Sequence, residues 1–543
     1  MAESKLTYRA DVVFVGGGLS ALVAALELVA GGKRVLIVER NGPERLGGQA
    51  RDAFGGFFFV DSPEQRRAGI RDSLDLAWED WRGYADFPEG SDLAQAWARR
   101  YLERNLPDVR GFLLDQGLRF FPRPAWAERA HEGRGNRLPR FHLLWGCGAG
   151  LVARLQKRLA PFEPGLLKTL CHHRMEGFLR RGARVEGVRG LRTDTGQEFE
   201  ALGDQVVLAS GGFTGNLDLV RARWPKAWDA APADLLNGAY PWIDGSVQEL
   251  AATLGADRGP LDRMWVYAAG IAHWKGDFPG HGLAVVPPRS ALWLDADGAR
   301  FAPPLLAGTD THALVARIAA TGRPWSWLLL NRRILEKELA LQGSAFNAAF
   351  RDHSWLRLLS NLLLGDRALA KELLEGSRDL VSATDLPGLV ARMNLLAPDG
   401  HVAISAVRQA AEAWDAELAR GPRVFTDPQA QYLRAVRAYP GDRLRTCAFQ
   451  PLLDPAAGPL VAIRLRPLSR KSLSGLVTAL DGAVLHPDGH PIPGLYALGE
   501  AAGFGGGGMN GRRTLEGTLL GGCILGARQF ASATLTGRLP GQG

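Results

Sequence analysis

Between Asp11 and Glu39 the apolar residues change their spacing twice, and the changes outline a strand, a helix and a second strand. Val12 to Val15 form the unbroken apolar run of a parallel strand buried on both faces. From Leu19 the apolar positions Leu19, Leu22, Val23, Leu26 and Val29 follow the period of one helix face, and Gly31-Gly32 ends it. Val35 to Val38 is another buried run, closed by Glu39. Between strand and helix stand Gly16, Gly17 and Gly18, and with Ala21 the turn reads Gly-x-Gly-x-x-Ala. Gly16 permits the tight turn, Gly18 lets backbone approach a pyrophosphate at the helix N-terminus, and Ala21 allows close helix–strand packing. Glu39, 18 positions beyond Ala21, is placed to accept hydrogen bonds from both ribose hydroxyls of a dinucleotide. Leu19, Ser20 and Arg40 flank these positions and are expected to contact the same cofactor.

Further along, Gly47-Gly48-Gln49-Ala50 is a second small-residue turn suited to phosphates or the middle of a long cofactor. Ser62-Pro63-Glu64-Gln65 carries the marks of a helix start with a capping box. Helical spacing continues to about Trp81, and again over 92–116 and 151–159. From His173 to Leu208 the texture is β, and the last buried run, Val206 to Ala209, opens into Ser210-Gly211-Gly212. Asp244-Gly245-Ser246 begins a helix ending at Gly255. Over 271–440 helical spacing dominates. Extended character returns at Val461 to Leu465 and at Leu495 to Leu498, followed by Gly499-Glu500, the glycine run Gly505 to Gly508, and a last helix from about Leu515 to Ala531.

Composition narrows the field. A chain of 543 residues is too long for one core, so several units are expected. The net charge of +8 comes from arginines interspersed with acids, without a basic stripe, which argues against nucleic-acid binding. Cys147, Cys171, Cys447 and Cys523 are far apart, so neither a disulfide framework nor a zinc site is expected, and no metal is assigned. No long apolar run suggests a membrane span. The first strand begins by residue 11, which leaves no room for a signal peptide and points to the cytoplasm.

Several blocks carry a family resemblance: VVFVGGGLSALVAALELV from Val12, GGQA from Gly47, VVLASGGFTGN from Val206, DGSVQELAATLGA from Asp244, and the long stretch from Leu473 to Gly522. Together they resemble the flavoprotein family of soluble fumarate reductases, succinate dehydrogenase flavoprotein subunits and 3-ketosteroid dehydrogenases, and within it a branch known simply as FAD-binding dehydrogenases. The resemblance implies an α/β fold: a Rossmann-type FAD domain built from both chain ends (1–270 and 441–543) with a mainly helical cap (271–440) inserted between them. It implies non-covalent FAD and a substrate lying between cap and flavin. Gly16, Gly18, Glu39, Gly47 and Gly48 would contact the ADP half, with Gln49, Ser210, Gly211 and Gly212 close by. Gly499 and Glu500 would sit near the ribityl chain, and Thr514, Leu515 and Thr518 near the pyrimidine edge of the flavin, where a helix N-terminus favours negative charge.

The departures bear on chemistry. After Gly298-Ala299-Arg300-Phe301 the fumarate reductases' arginine proton donor would fall near Gly308, and their substrate histidine is replaced around Arg470-Lys471. Where steroid dehydrogenases carry a tyrosine, this chain reads Gly458-Pro459-Leu460-Val461. Arg513 keeps the position of the family's substrate-gripping arginine and could clamp a carboxylate or polarise a carbonyl, or pair with Glu516. Lys471 is a candidate proton carrier, His142 a candidate acid or base or a packed histidine, and Tyr267 a candidate for the tyrosine role. His273 and Arg300 are weaker candidates. The substrate expected is a small apolar or carboxylate- or carbonyl-bearing molecule, with hydride exchanged beside the carbonyl or carboxylate. The alternatives are an oxidase acting on an amine or alcohol, and a flavin-holding redox partner. With no second dinucleotide turn for a nicotinamide, the electron donor or acceptor is a further substrate, oxygen or a carrier protein.

Overall fold

The computed structural model describes residues 5–542. A six-stranded sheet carries, in spatial order, Ala483–Leu485, Pro491–Ala497, Gln205–Leu208, Val12–Val15, Val35–Val38 and Leu167–Leu170. Every neighbouring pair is parallel except the outermost two strands. Val207 lies opposite Phe14 on one side and Tyr496 on the other, so both ends of the chain meet in one sheet. Val12–Val15 and Val35–Val38 are buried at every position, which is why their sequences run apolar without alternation. Helix Leu19–Ala30 covers this sheet and packs against the last helix, Thr518–Thr536. Gly31 ends the first helix by donating its N–H to the Glu27 carbonyl at 3.0 Å.

Beside this sheet lies a four-stranded one, Leu6–Arg9, Glu198–Leu202, Arg184–Arg192 and His173–Arg181, as the β texture of that region predicts. The cap side departs from expectation. Helices do occupy it, among them Thr311–Ala319, Trp355–Leu364, Arg367–Gly376, Leu386–Leu396, Ile404–Ala419 and Pro428–Ala438. Between them stand Gly282–Val286, Leu292–Leu294, Ser326–Asn331, Ala340–Leu341 and Leu380–Ala383, organised directly or through neighbours around the thirteen-residue strand Leu460–Ser472. Short apolar runs such as Ser326–Asn331, buried throughout, have no period that separates strand from helix. Residue 270, the expected edge of the insertion, falls inside strand Met264–Ala272, and that strand pairs with Leu460–Ser472 from the C-terminal part.

Local departures have local causes. Ser62 caps helix Pro63–Arg67 with the full capping box, but the helix stops there, and Ser73 caps a new one, Leu74–Ala85. The helical stretch from Asp92 is interrupted by a π-helical segment, Asn105–Gly111, that contains Pro107, a residue without an N–H to donate. The last helix begins at Thr518, three residues later than its apolar spacing suggests, because Gly517 before it adopts φ +99°.

Candidate functional site

The glycine turns build the first half of the site. Gly16 has φ +95°, and a Cβ there would lie 2.7 Å from the Ala209 carbonyl oxygen. Gly18, at φ −70° the residue before helix Leu19–Ala30, has no side chain to cap that helix. Gly47 (φ +93°) donates its N–H to the Gly17 carbonyl at 2.8 Å and so docks the second small-residue turn against the first. A Cβ on Gly212 would lie 1.9 Å from the Ser472 Oγ and 2.6 Å from Glu500 Oε1. Backbone from three distant segments, at Gly16–Gly18, Gly47 and Ala209–Gly212, thus converges, with the Ser472 and Glu500 side chains closing on Gly212.

Glu39 is buried, and three donors already hold its carboxylate. Oε2 accepts from the Gly17 N–H at 2.8 Å, and Oε1 accepts from both the N–H and the side-chain amide of Asn41 at 2.9 Å. A carboxylate offers about four lone-pair positions, so room is left for one further donor, not for two ribose hydroxyls at separate oxygens. Asn41 was not singled out by sequence. Arg40 lines the cavity but is tied by one guanidinium nitrogen to the Trp242 carbonyl and to Asp244, both at 3.0 Å. Gln49 has a buried Nε2 with no partner, a donor waiting for an acceptor.

These turns and the strands around Leu460–Ser472 line one cavity of about 450 Å³. Gly16, Gly18, Leu19, Ser20, Glu39, Arg40, Gly47, Gly48 and Gln49 face it, together with Ser210, Gly211, Gly212, Gly499 and Glu500, all residues that the sequence assigns to the cofactor. Ala21 does not; it is buried in the packing between helix and strand, the part the fingerprint gives it. Thr514, Leu515 and Thr518 are also absent from the lining. Both threonine hydroxyls turn to the Asn510 side-chain oxygen, at 3.1 and 2.9 Å, and Leu515 is buried. The same helix start still meets the cavity through Glu516, Gly517, Leu519 and Leu520, and no side chain caps it. Its free amide end places about half a positive charge at the cavity wall.

The catalytic candidates separate. Tyr267 lines the cavity, and its hydroxyl donates to Glu516 Oε1 at 2.6 Å. Trp265 donates its ring N–H to the same oxygen at 3.2 Å. Lys471 places Nζ 3.4 Å from the Tyr267 hydroxyl, and the strand register makes this possible by setting Lys471 opposite Trp265. Burial pushes the Tyr267 phenol well above its usual range, and the Glu516 charge pushes the same way. Burial also lowers the Lys471 ammonium below the usual lysine value. Burial likewise raises the carboxyl of Glu500, which accepts from the Ser472 N–H at 2.8 Å.

His142 is not an acid or base of this site. It is fully buried outside the lining, with Nε2 2.7 Å from the Ser62 hydroxyl and Nδ1 2.8 Å from the Arg140 carbonyl, and burial drops its pKa to about 4. Arg140 beside it is also enclosed, held by Asp72 and Asp80. Arg513 is 9% exposed and not in the lining; it lies 3.4 Å from Asp86 and 3.5 Å from Asp310, and Glu516 is instead the partner of Tyr267. Arg300 is bound to Asp427 and Gln429, and His273 packs against His281. Gly308, in the place of the family's proton-donating arginine, does line the cavity.

Sequence reasoning missed Glu128. It is buried in the lining, accepts from the hydroxyls of Tyr84 and Thr311, and burial raises its carboxyl to about 8. Its partners are 44 and 183 positions away, so no spacing announces it. Glu516 had a signal, an acid standing immediately before the helix-opening glycine. Among the described residues no group of three or more His, Cys, Asp or Glu is placed to hold a metal, and no helix is long and apolar enough to cross a membrane.

The site fits a dinucleotide flavin: a glycine cradle in which a Cβ at Gly16 would meet backbone, an orphaned amide donor, and an uncapped helix start. Comparison agrees. Residues 11–520 match the FAD binding domain family. A KsdD-like steroid dehydrogenase of Mycolicibacterium smegmatis is 42% identical over 94% of this chain and 96% of its own. A KsdD-like steroid dehydrogenase of Mycobacterium tuberculosis is 40% identical over 96% and 94%. Among solved structures, the 3-ketosteroid Δ1-dehydrogenase of Sterolibacterium denitrificans superposes with TM-score 0.69 at 17% identity, over 97% of this chain and all of that one. A flavocytochrome c3 fumarate reductase superposes with TM-score 0.66 at 16% identity, over 97% and 78%. The chain belongs to the FAD binding domain family and is an FAD-dependent dehydrogenase or reductase.

Proposed function

We propose that this enzyme dehydrogenates a ring ketone at the carbon–carbon bond beside its carbonyl. The observation that supports it is the Lys471–Tyr267–Glu516 chain, which shares one cavity with the glycine cradle and the uncapped helix start. The relatives' names point to the same substrate class. FAD bound in the cradle would supply the acceptor for the hydride. Gly16, Gly18, Gly47 and Gly48 would admit its diphosphate to main-chain amides, Glu39 would take a ribose hydroxyl, and the start of helix Thr518–Thr536 would favour negative charge at the ring.

What this chain contributes is the fate of the proton. Tyr267 stays a neutral phenol whose single proton goes to Glu516, and that proton would have to turn from Glu516 for the hydroxyl to donate to a substrate carbonyl. Lys471 reaches its uncharged form more readily than a solvated lysine, so Nζ can take the proton leaving the carbon next to the carbonyl. Attachment of the flavin is non-covalent on this reading. Cys523 in the lining is held as a thiol by burial, its pKa pushed up to about 12, and His173 has Nδ1 committed to the Cys171 carbonyl at 2.6 Å.

Anaerobic titration of the yellow holoenzyme tests the proposal. 4-Androstene-3,17-dione or a simpler cyclic ketone should bleach the flavin and yield the unsaturated ketone. Reduction by amines or alcohols, with ketones inert, would replace this reading by the oxidase one.

A further inference from the structure

One titratable group of the cavity has no part in the proton chain: Glu128. Its backbone stands at φ +44°, in the left-handed region that few residues other than glycine adopt, and the Asn136 N–H fixes it by donating to the Glu128 carbonyl at 2.7 Å. The next residue, Arg129, donates its N–H to the Gly308 carbonyl at 3.0 Å. The carboxyl of Glu128 thereby meets Thr311, the first residue of helix Thr311–Ala319, which also lines the cavity. Oε2 accepts from the Tyr84 hydroxyl and, at 3.1 Å, from the Thr311 N–H, while Oε1 lies 2.8 Å from the Thr311 hydroxyl.

The charges around this pair leave the carboxyl uncompensated. Among the described residues no lysine, arginine or histidine forms an ion pair with Glu128, and Arg513 lies instead 3.4 Å from Asp86 and 3.5 Å from Asp310. Asp310 caps the helix by accepting from the Ala313 N–H at 3.0 Å. Burial drops the pKa of His312 to about 3 and keeps the Tyr84 phenol protonated, so neither supplies a charge. Burial, with the like charge of Glu516 adding to it, raises Glu128 to about 8, and the carboxyl is protonated at neutral pH.

Protonation decides where the Thr311 hydroxyl points. An ionised carboxylate accepts at both oxygens and takes the only proton that hydroxyl has. A neutral carboxyl carries its proton on Oε1, because Oε2 already meets two donors, and gives it to Thr311 Oγ1. The threonine proton is then free for a ligand in the cavity. We infer that Thr311, backed by the neutral carboxyl of Glu128, donates the hydrogen bond that holds the ketone oxygen of the substrate. Thr311 touches the substrate, and Glu128 acts through it as a positioning residue. The inference rests on the ketone reading above for its ligand, and the bond contributes roughly 3- to 10-fold in affinity.

The test uses the holoenzyme and 1,4-androstadiene-3,17-dione, a dienone already unsaturated beside its carbonyl, with binding read from the perturbed flavin spectrum. Wild-type affinity should be level near neutral pH and fall roughly 3- to 10-fold as pH rises through about 8. Glu128→Gln sets a permanent amide donor behind Thr311, so it should bind as wild type does near neutral pH and keep that affinity in alkali. Thr311→Val should bind roughly 3- to 10-fold more weakly near neutral pH and lose nothing further, while Thr311→Ser restores the wild-type profile. A decline that survives in Glu128→Gln belongs to another group, such as Lys471, and overturns the inference. So does wild-type affinity in Thr311→Val. If the variants behave as described but no ketone reduces the flavin, the dehydrogenation reading fails and the hydrogen-bond site stands. If ketones are oxidised while both variants bind with the wild-type profile, the reverse holds. Should Thr311→Val not fold, the profiles of wild type and Glu128→Gln decide.

Discussion

The turn Gly16–Gly18 and the strand Leu460–Ser472 face the same cavity, yet they are built on opposite terms. The turn works through what is missing: a Cβ at Gly16 would meet the Ala209 carbonyl, so only glycine is admitted and backbone amides are left to meet a ligand. The strand works through what it carries, because Lys471 matters only where pairing sets it opposite Trp265 and near Tyr267. A site made by backbone constrains residue type and can be read locally. A site made by side chains depends on register between segments some two hundred positions apart, as Tyr267 and Lys471 are.

That contrast can be broken by substitution, and the largest effect is expected in the turn. Gly16→Val needs a β-branched residue at φ +95° with its Cβ against backbone, so the purified protein should be colourless and refuse added FAD. Retained stoichiometric flavin would show that the turn does not hold the cofactor. Next comes Lys471→Met, which removes the proton acceptor and leaves the cradle alone. Flavin content should be unchanged while the rate of flavin reduction by ketone falls roughly 10²- to 10⁴-fold. In the wild type that rate should climb with pH as the buried ammonium, shifted below the ordinary lysine value, loses its proton, and the climb should vanish in the variant.

A smaller effect belongs to His142, which sharpens the comparison by lying outside both halves. Its folded pKa of about 4 is below the ordinary value of 6.5, so between these pH values the unfolded chain binds the extra proton. Stability from this group is therefore full above pH 6.5 and lost as pH falls toward 4, by about 3 kcal/mol in all. Denaturant unfolding of wild type and His142→Gln should show a difference that changes over that window and is flat above it. A pH-independent difference would assign the histidine another role. Ketone oxidation rates of the variant at neutral pH should stay near those of the wild type.

Much of the cofactor half was legible because parallel strands buried on both faces leave continuous apolar runs, and because the turns demand glycine at Gly16, Gly47 and Gly211. Even there, the fingerprint spacing assigns Glu39 to the ribose hydroxyls; that Asn41 and Gly17 already occupy it follows from a loop conformation that no motif encodes. The last helix was legible as a helix but not in phase. The positive φ at Gly517 delays its start and turns Thr514 and Thr518 onto Asn510 while Glu516 faces the cavity. The cap was harder to read because its strands are short, buried and drawn from separated segments, so their apolar runs resemble those of buried helices. Arg513 and His142 show the same limit for single residues. Their types suit chemistry, but Ser62 and the Arg140 carbonyl claim His142, and Arg513 lies outside the cavity lining, near Asp86 and Asp310 but with Nε and Nη1 unbonded.

The central claim is that one cavity joins a backbone-built cofactor cradle to a Tyr267-centred proton chain. Its most direct test is the anaerobic rate at which a ketone substrate bleaches the flavin of Tyr267→Phe, measured at full flavin occupancy. The account predicts a protein as yellow as wild type whose flavin is reduced about a hundredfold or more slowly. Bleaching at the wild-type rate would contradict it.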